Sequence, residues 1–203
     1  MLNLYLTPKS RHAPIPSEDA IQNAIKFLKD EGIIGPEVGP NEYSSGNHVS
    51  IFFHSDADQH FLPAELTFES WSINQVKAAR FLPQDQDTSD FDETVCSVCQ
   101  EPIDGHAFDS ALDQLDFLPV NRVRYSCHCC QSEVPFAELD FGQVTAVARF
   151  WFFVEGVAWG RLNQALLDEL GRILGFPLVI VPEVIQTRSE SWRAQFDRVR
   201  QYG

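Results

Sequence analysis

Val144-Thr-Ala-Val-Ala-Arg-Phe-Trp-Phe-Phe-Val154 is the most hydrophobic run in the chain. Its β-branched and aromatic bias marks a central strand. Both alternating faces are apolar, so the sheet is expected either to be covered on both sides or to offer half of itself to a partner. Downstream, Leu162, Leu166, Leu170, Ile173 and Leu174 form a helical stripe ended by Gly175 and Pro177. Leu178 to Val181 follows as a buried strand, expected to stop at Pro182. A C-terminal amphipathic helix is expected over Glu190 to Gln201, with Trp192, Phe196 and Val199 on one face.

Upstream, Leu2, Leu4 and Leu6 alternate with polar or amphipathic neighbours, the pattern of a half-buried strand. Pro8, Pro14 and Pro16 enforce a loop. Ser17 is a good N-cap, Glu18 and Asp19 suit the positive end of a helix dipole, and Ile21, Ala24, Ile25 and Leu28 keep helical spacing up to Gly32. Residues 35–47 are rich in Gly, Pro and Asn and read as a loop. His48 to His54 reads as a strand, and Glu65 to Trp71 alternates and is expected to pair with it. Ser72 to Phe81 reads as a short helix, and the acidic residues 83–94 as a linker.

Two cysteine knuckles follow that linker. Cys96-Ser-Val-Cys99-Gln is answered about thirty residues later by Cys127-His-Cys-Cys130-Gln. Two residues between paired cysteines let one tight turn aim both sulfurs at the same point, and thiolate is a strong zinc ligand. The segment 92–135 resembles the zinc-ribbon class through Cys96, Cys99, Cys127 and Cys130, with Gln where ribbons often carry Gly, and through the strand leading into the second knuckle. The resemblance implies a closed four-sulfur site and hence a structural zinc. His128 and Cys129 are further ligand types beside the second knuckle; the shared Cys-x-x-Cys-Gln pattern assigns the pair to Cys127 and Cys130 and leaves Cys129 a spare thiol. Ribbons often bind nucleic acid, but Arg122 and Arg124 face ten acids in residues 91–140, so no nucleic acid is expected.

With the cysteine segment set aside, the order of elements is that of two β-α-β units. The expected fold class is α+β: a ferredoxin-like mixed sheet with two main helices, an inserted four-cysteine zinc-ribbon module and a C-terminal helix. Residues 1–90 and 141–203 are expected to form one α+β domain together, and residues 91–140 the insertion.

The 203 residues, 44% of them hydrophobic, are enough for a substantial core. The formal charge is −14, from 15 Lys and Arg against 29 Asp and Glu. Residues 1–90 hold 6 basic and 13 acidic residues, residues 91–140 hold 2 and 10, and residues 141–203 hold 7 and 6. An acidic surface repels phosphate backbones and anionic membranes and attracts a basic protein. The paired cysteines argue for a reducing compartment. The first residues lack a basic n-region and a long apolar run, and nothing resembles a membrane span, so a cytoplasmic protein is expected.

Candidate chemistry beyond the knuckles is sparse. His54, Asp56, Asp58 and His60 alternate and would share one strand face, where two of them could ligate an ion with help from elsewhere, such as His48; a polar hairpin loop is the plainer reading. Glu155 stands among apolar strand residues, as an acid or base or, more simply, as a strand-end carboxylate with a hydrogen-bonded partner. Hydrolase, phosphate-loop and metalloprotease signatures are absent. The expected function is a non-enzymatic, zinc-stabilised protein that recognises a basic protein, in the manner of an inhibitor or toxin-neutralising protein. The alternatives are a metal-dependent enzyme using the His54–His60 loop and Glu155, and a ribbon-type nucleic-acid or transcription accessory factor.

Overall fold

The computed structural model describes residues 2–49, 68–82, 94–139, 146–157 and 162–184. Strand β1 (Leu2–Pro8) leads into helix α1 (Glu18–Asp30). The Ser17 hydroxyl caps α1 by accepting from the Ala20 N–H, and Gly32, at φ 69°, turns the chain out of it. Strands β2 (Ile34–Gly39), β3 (Glu42–Ser45) and β4 (Ser70–Leu82) follow, then helix α2 (Gly105–Gln114) and the short strands β5 (Arg124–Ser126) and β6 (Glu133–Pro135). Strand β7 (Ala146–Val157), helix α3 (Gln164–Leu174) and strand β8 (Leu178–Val184) complete the order.

The main sheet runs β2-β3-β4-β7-β1-β8. Every neighbouring pair is antiparallel. The inner order β4-β7-β1-β8 is the ferredoxin-like arrangement, with the β2–β3 hairpin added beyond β4. The sheet is antiparallel throughout rather than mixed as expected, because the two β-α-β units interleave: β7 lies between β1 and β4, and β1 between β7 and β8. The hydrophobic run becomes β7, the strand between β4 and β1.

Alternation along β1 and β7 divides two apolar layers. Leu4, Leu6, Phe150, Phe152 and Val154, with Trp71 and Ile73 of β4, face Ile21, Ala24, Ile25 and Leu28 of α1 and Leu166, Leu167, Leu170 and Leu174 of α3. Tyr5, Trp151 and Val181 form the opposite layer, with Phe153 half-buried beside them. Both helices therefore cover one face. A third core lies in the cysteine segment, where Phe108 stacks on Phe136 at 5.4 Å and Val123, Tyr125, Val134 and Leu139 close around them. Val147 of β7 belongs to that core and joins it to the sheet.

Three local expectations are corrected. Residues 35–47 contain the β2–β3 hairpin rather than only loop. Pro36 is tolerated because β2 is an outer strand, Asn41 supplies the left-handed turn residue at φ 59°, and Tyr43 is buried. Ser72 to Phe81 is strand, not helix, because pairing with the long β7 satisfies its backbone; a register shift between Gln75 and Arg80 absorbs the irregularity. Strand β8 does not stop at Pro182, which sits opposite Leu4 on an outer strand where a missing N–H is tolerated. The expected strand from His48 to His54 enters the described residues only at His48 and Val49, which lie in a turn. The C-terminal helix and most of the acidic linker lie outside the described residues.

Candidate metal centre

Each knuckle is the tip of a hairpin. Val95 bridges Pro102 across the first, and Ser126 pairs with Glu133 across the second. The two tips repeat one hydrogen-bond pattern. The Cys96 N–H donates to the Glu101 carbonyl and the Gln100 N–H to the Cys96 carbonyl; the Cys127 N–H donates to Ser132 and the Gln131 N–H to Cys127. This closes the turn so that both sulfurs of a pair point inward.

The residue after each pair stands in the left-handed region, Gln100 at φ 61° and Gln131 at φ 58°. This explains why glycine is common there, and it costs Gln about 1 kcal/mol. Side-chain bonds offset part of that cost. Gln100 Nε2 donates to the Cys96 carbonyl at 3.3 Å, and Gln131 Nε2 to the His128 carbonyl at 2.7 Å.

The Sγ atoms of Cys96, Cys99, Cys127 and Cys130 all lie within 4.8 Å of one another. Cys96 Sγ is 3.9 Å from Cys130 Sγ, and Cys99 Sγ is 3.7 Å from Cys127 Sγ. These are not disulfide distances. A tetrahedron with zinc–sulfur bonds of about 2.3 Å has edges of about 3.8 Å. The donor set and its spacing therefore fit a tetrahedral divalent ion. Cys96 and Cys127 are buried, Cys99 and Cys130 half-buried; Cys129 is exposed and outside the group.

The clustered thiols influence one another's protonation. The Ser132 hydroxyl and backbone N–H hold the Cys130 thiol down at about 6. At Cys127 the Cys130 N–H lowers the thiol, but burial and the neighbouring Cys130 and Cys99 thiols outweigh it and push it up to about 11. One thiol thus ionises readily and its neighbour resists a second negative charge, the behaviour of clustered acids that a bound cation relieves. Behind the sulfurs, the Tyr125 hydroxyl accepts from the Asp104 N–H at 2.9 Å, and the Asp104 carboxylate caps α2 by accepting from the Ala107 N–H at 2.9 Å. The helix between the knuckles is thereby tied to the strand that carries the second.

Among the described residues, Glu155 and His48 join no cluster of metal-ligating side chains. Glu155 is exposed on β7 and accepts from the Ser70 hydroxyl at 3.0 Å, as a strand-end carboxylate with a partner. His48 is exposed beside Gly32. His54, Asp56, Asp58 and His60 lie outside the described residues. Sequence reading missed Ser132 and the supporting role of the two glutamines. The repetition of Gln after both pairs was the available signal, since a residue held in the left-handed region at both tips is part of the turn. Among the described residues, no helix is long and apolar enough to cross a membrane. No family model, no curated protein and no solved structure matches the chain.

Proposed function

We propose that the protein is a non-enzymatic, zinc-stabilised binding protein whose acidic surface recognises a basic protein. The observation that carries the zinc assignment is the convergence of four thiols at spacings of a tetrahedral site. Cys96, Cys99, Cys127 and Cys130 would hold the ion, and four sulfur ligands leave no position for substrate, so its role is to staple the two knuckles. The binding role rests on the net charge of −14, concentrated before residue 141. Such a surface accelerates encounter with a cationic partner and disfavours nucleic acid.

Metal analysis of protein purified without chelator should give one zinc per chain. Cys99→Ser should lose it and Cys129→Ser should keep it. Metal-free protein, or the reverse order of the two variants, refutes the ligand set. The partner is tested by copurification from native cells followed by association kinetics across salt. A basic protein whose on-rate falls as ionic strength rises past about 0.15 M is expected. A tight, sequence-selective nucleic-acid complex at that salt overturns the reading.

A further inference from the structure

The sheet face opposite α1 and α3 carries its own apolar layer. Tyr5 of β1, Trp151 of β7, Val181 of β8 and Leu82 of β4 belong to it, with Phe153 tilted against Tyr5 at 5.0 Å between ring centroids. The register keeps these side chains on one face, since Tyr5 stands opposite both Phe153 and Val181. Among the described residues, the layer consists of strand residues alone. Helices α1 and α3 belong to the core on the other face, and α2 to the core of the cysteine segment.

The layer is nevertheless buried. Tyr5 is 6% exposed, Trp151 4% and Val181 1%. Side chains on a sheet stand roughly perpendicular to it, so neighbours on the same face flank an indole ring without roofing it. This is the burial of a single chain, so the roof is part of the same chain rather than a partner.

The stretch that fits is the one that leaves this layer. Strand β8 ends at Val184, and its Val181 and Glu183 alternate onto the layer's face. Residues 185–203 follow, and in them Trp192, Phe196 and Val199 keep i, i+4, i+7 spacing. A helix over Glu190 to Gln201 would be about 18 Å long, against about 14 Å across the sheet from β8 to β4. So short a helix persists in water only against an apolar surface. The charges match as well. Arg188, Arg193, Arg198 and Arg200 outnumber Glu190 and Asp197, and the face is edged by Glu183, which accepts from Asn3, and Glu155, which accepts from Ser70. Residues 50–67 fit less well, because Val49 and Phe68 at their two ends are buried in the helix-covered core. Residues 83–93 hold one large apolar residue, Phe91, among five acids.

We propose that the C-terminal residues dock on this face as an amphipathic helix, with Trp192, Phe196 and Val199 laid on Tyr5, Trp151 and Phe153. The face is then an internal interface, closed to partners, and recognition of a basic protein falls to the rest of the surface.

Photocrosslinking of the full-length protein tests this. With benzoylphenylalanine in place of Phe196, irradiation should give crosslinks within one chain, to the peptides that hold Tyr5, Trp151 or Val181. Crosslinks to α1, α3 or the cysteine segment overturn the proposal, as do crosslinks between chains or none at all. Hydroxyl-radical footprinting supplies a second arm. Phe196→Asp should raise the reactivity of Tyr5 and Trp151 severalfold and leave Trp71, in the helix-covered core, as in the parent. Arg193→Ala, on the polar side of the helix, should leave all three unchanged, since an exposed charge pair contributes little. Tyr5 and Trp151 protected as before in Phe196→Asp would mean that another part of the chain roofs them, which overturns the assignment. The crosslink needs no destabilising substitution, so it decides the matter even where Phe196→Asp loses its fold. Neither readout depends on zinc or on a partner, so failure here is distinct from failure of the proposed function.

Discussion

Gln131 shows how much of the four-cysteine cluster depends on backbone conformation rather than on sulfur. It holds φ 58° at the turn that returns the chain from Cys130 to β6, and its side chain secures the His128 carbonyl at 2.7 Å. Glycine removes the steric penalty but also the side-chain bond, so the two effects oppose each other. A β-branched residue adds crowding and has no amide to offset it. Gln131→Gly should therefore stay within about 1 kcal/mol of the parent, whereas Gln131→Val should destabilise the zinc-loaded protein by about 1–2 kcal/mol. Denaturant unfolding with zinc present measures both. If valine were tolerated as well as glycine, the left-handed turn would not be what positions the second knuckle. The same reasoning applies at Gln100, whose Nε2 secures the Cys96 carbonyl.

At the scale of elements, β7 concentrates the packing energy. Phe152 is fully buried on the helix-covered face, 5.4 Å from the Trp71 ring and 5.2 Å from Phe150. Phe152→Ala should cost about 3–5 kcal/mol, because the rigid aromatic surround cannot collapse into the space. Phe153, its half-buried neighbour on the other face, should cost clearly less on the same substitution, and chemical denaturation of the two variants checks the order. Equal costs would mean that the two faces contribute alike. Strand β7 was legible because its signal is local: a run of β-branched and aromatic residues has few other uses. The two main helices were legible for the same reason, through Ser17, Gly175 and unbroken apolar stripes. Strand β4 was not. Gln75, Lys77 and Arg80 favour no strand by themselves, and what makes the segment a strand is the unpaired edge of β7, a partner about seventy residues away in sequence. The β2–β3 hairpin was hidden by Gly35, Pro36, Gly39 and Pro40, which signal a loop anywhere but at a sheet edge. The convergence of Cys96, Cys99, Cys127 and Cys130 was legible because paired cysteines two residues apart share one tight turn.

At the scale of the whole molecule, the chain crosses from β4 to the cysteine segment and back to β7, and those two strands are neighbours in the main sheet. The sheet therefore draws strands from both sides of the cysteine segment. Its helix-covered core contains none of the cysteines, whereas Cys96 and Cys127 belong to the core of Phe108, Tyr125 and Phe136. If the four cysteines hold the proposed zinc, its removal should accordingly act unevenly. Strands β5 and β6 are three residues each, too short to persist without a staple, and α2 is anchored to them through Asp104 and Tyr125. Strands β1, β4 and β7 keep their ladder and both covering helices. Hydrogen exchange before and after chelation should show protection lost across α2, β5 and β6, with the centres of β1 and β7 still slow. The changes reaching furthest into the sheet should follow the contacts that cross the seam, at Val147, at Arg80 with Asp116 and at Arg11 with Ala137. Uniform loss of protection from β1 to β8 would mean that the sheet and the cysteine segment fold as one cooperative unit, with the zinc stapling the whole protein rather than one part of it.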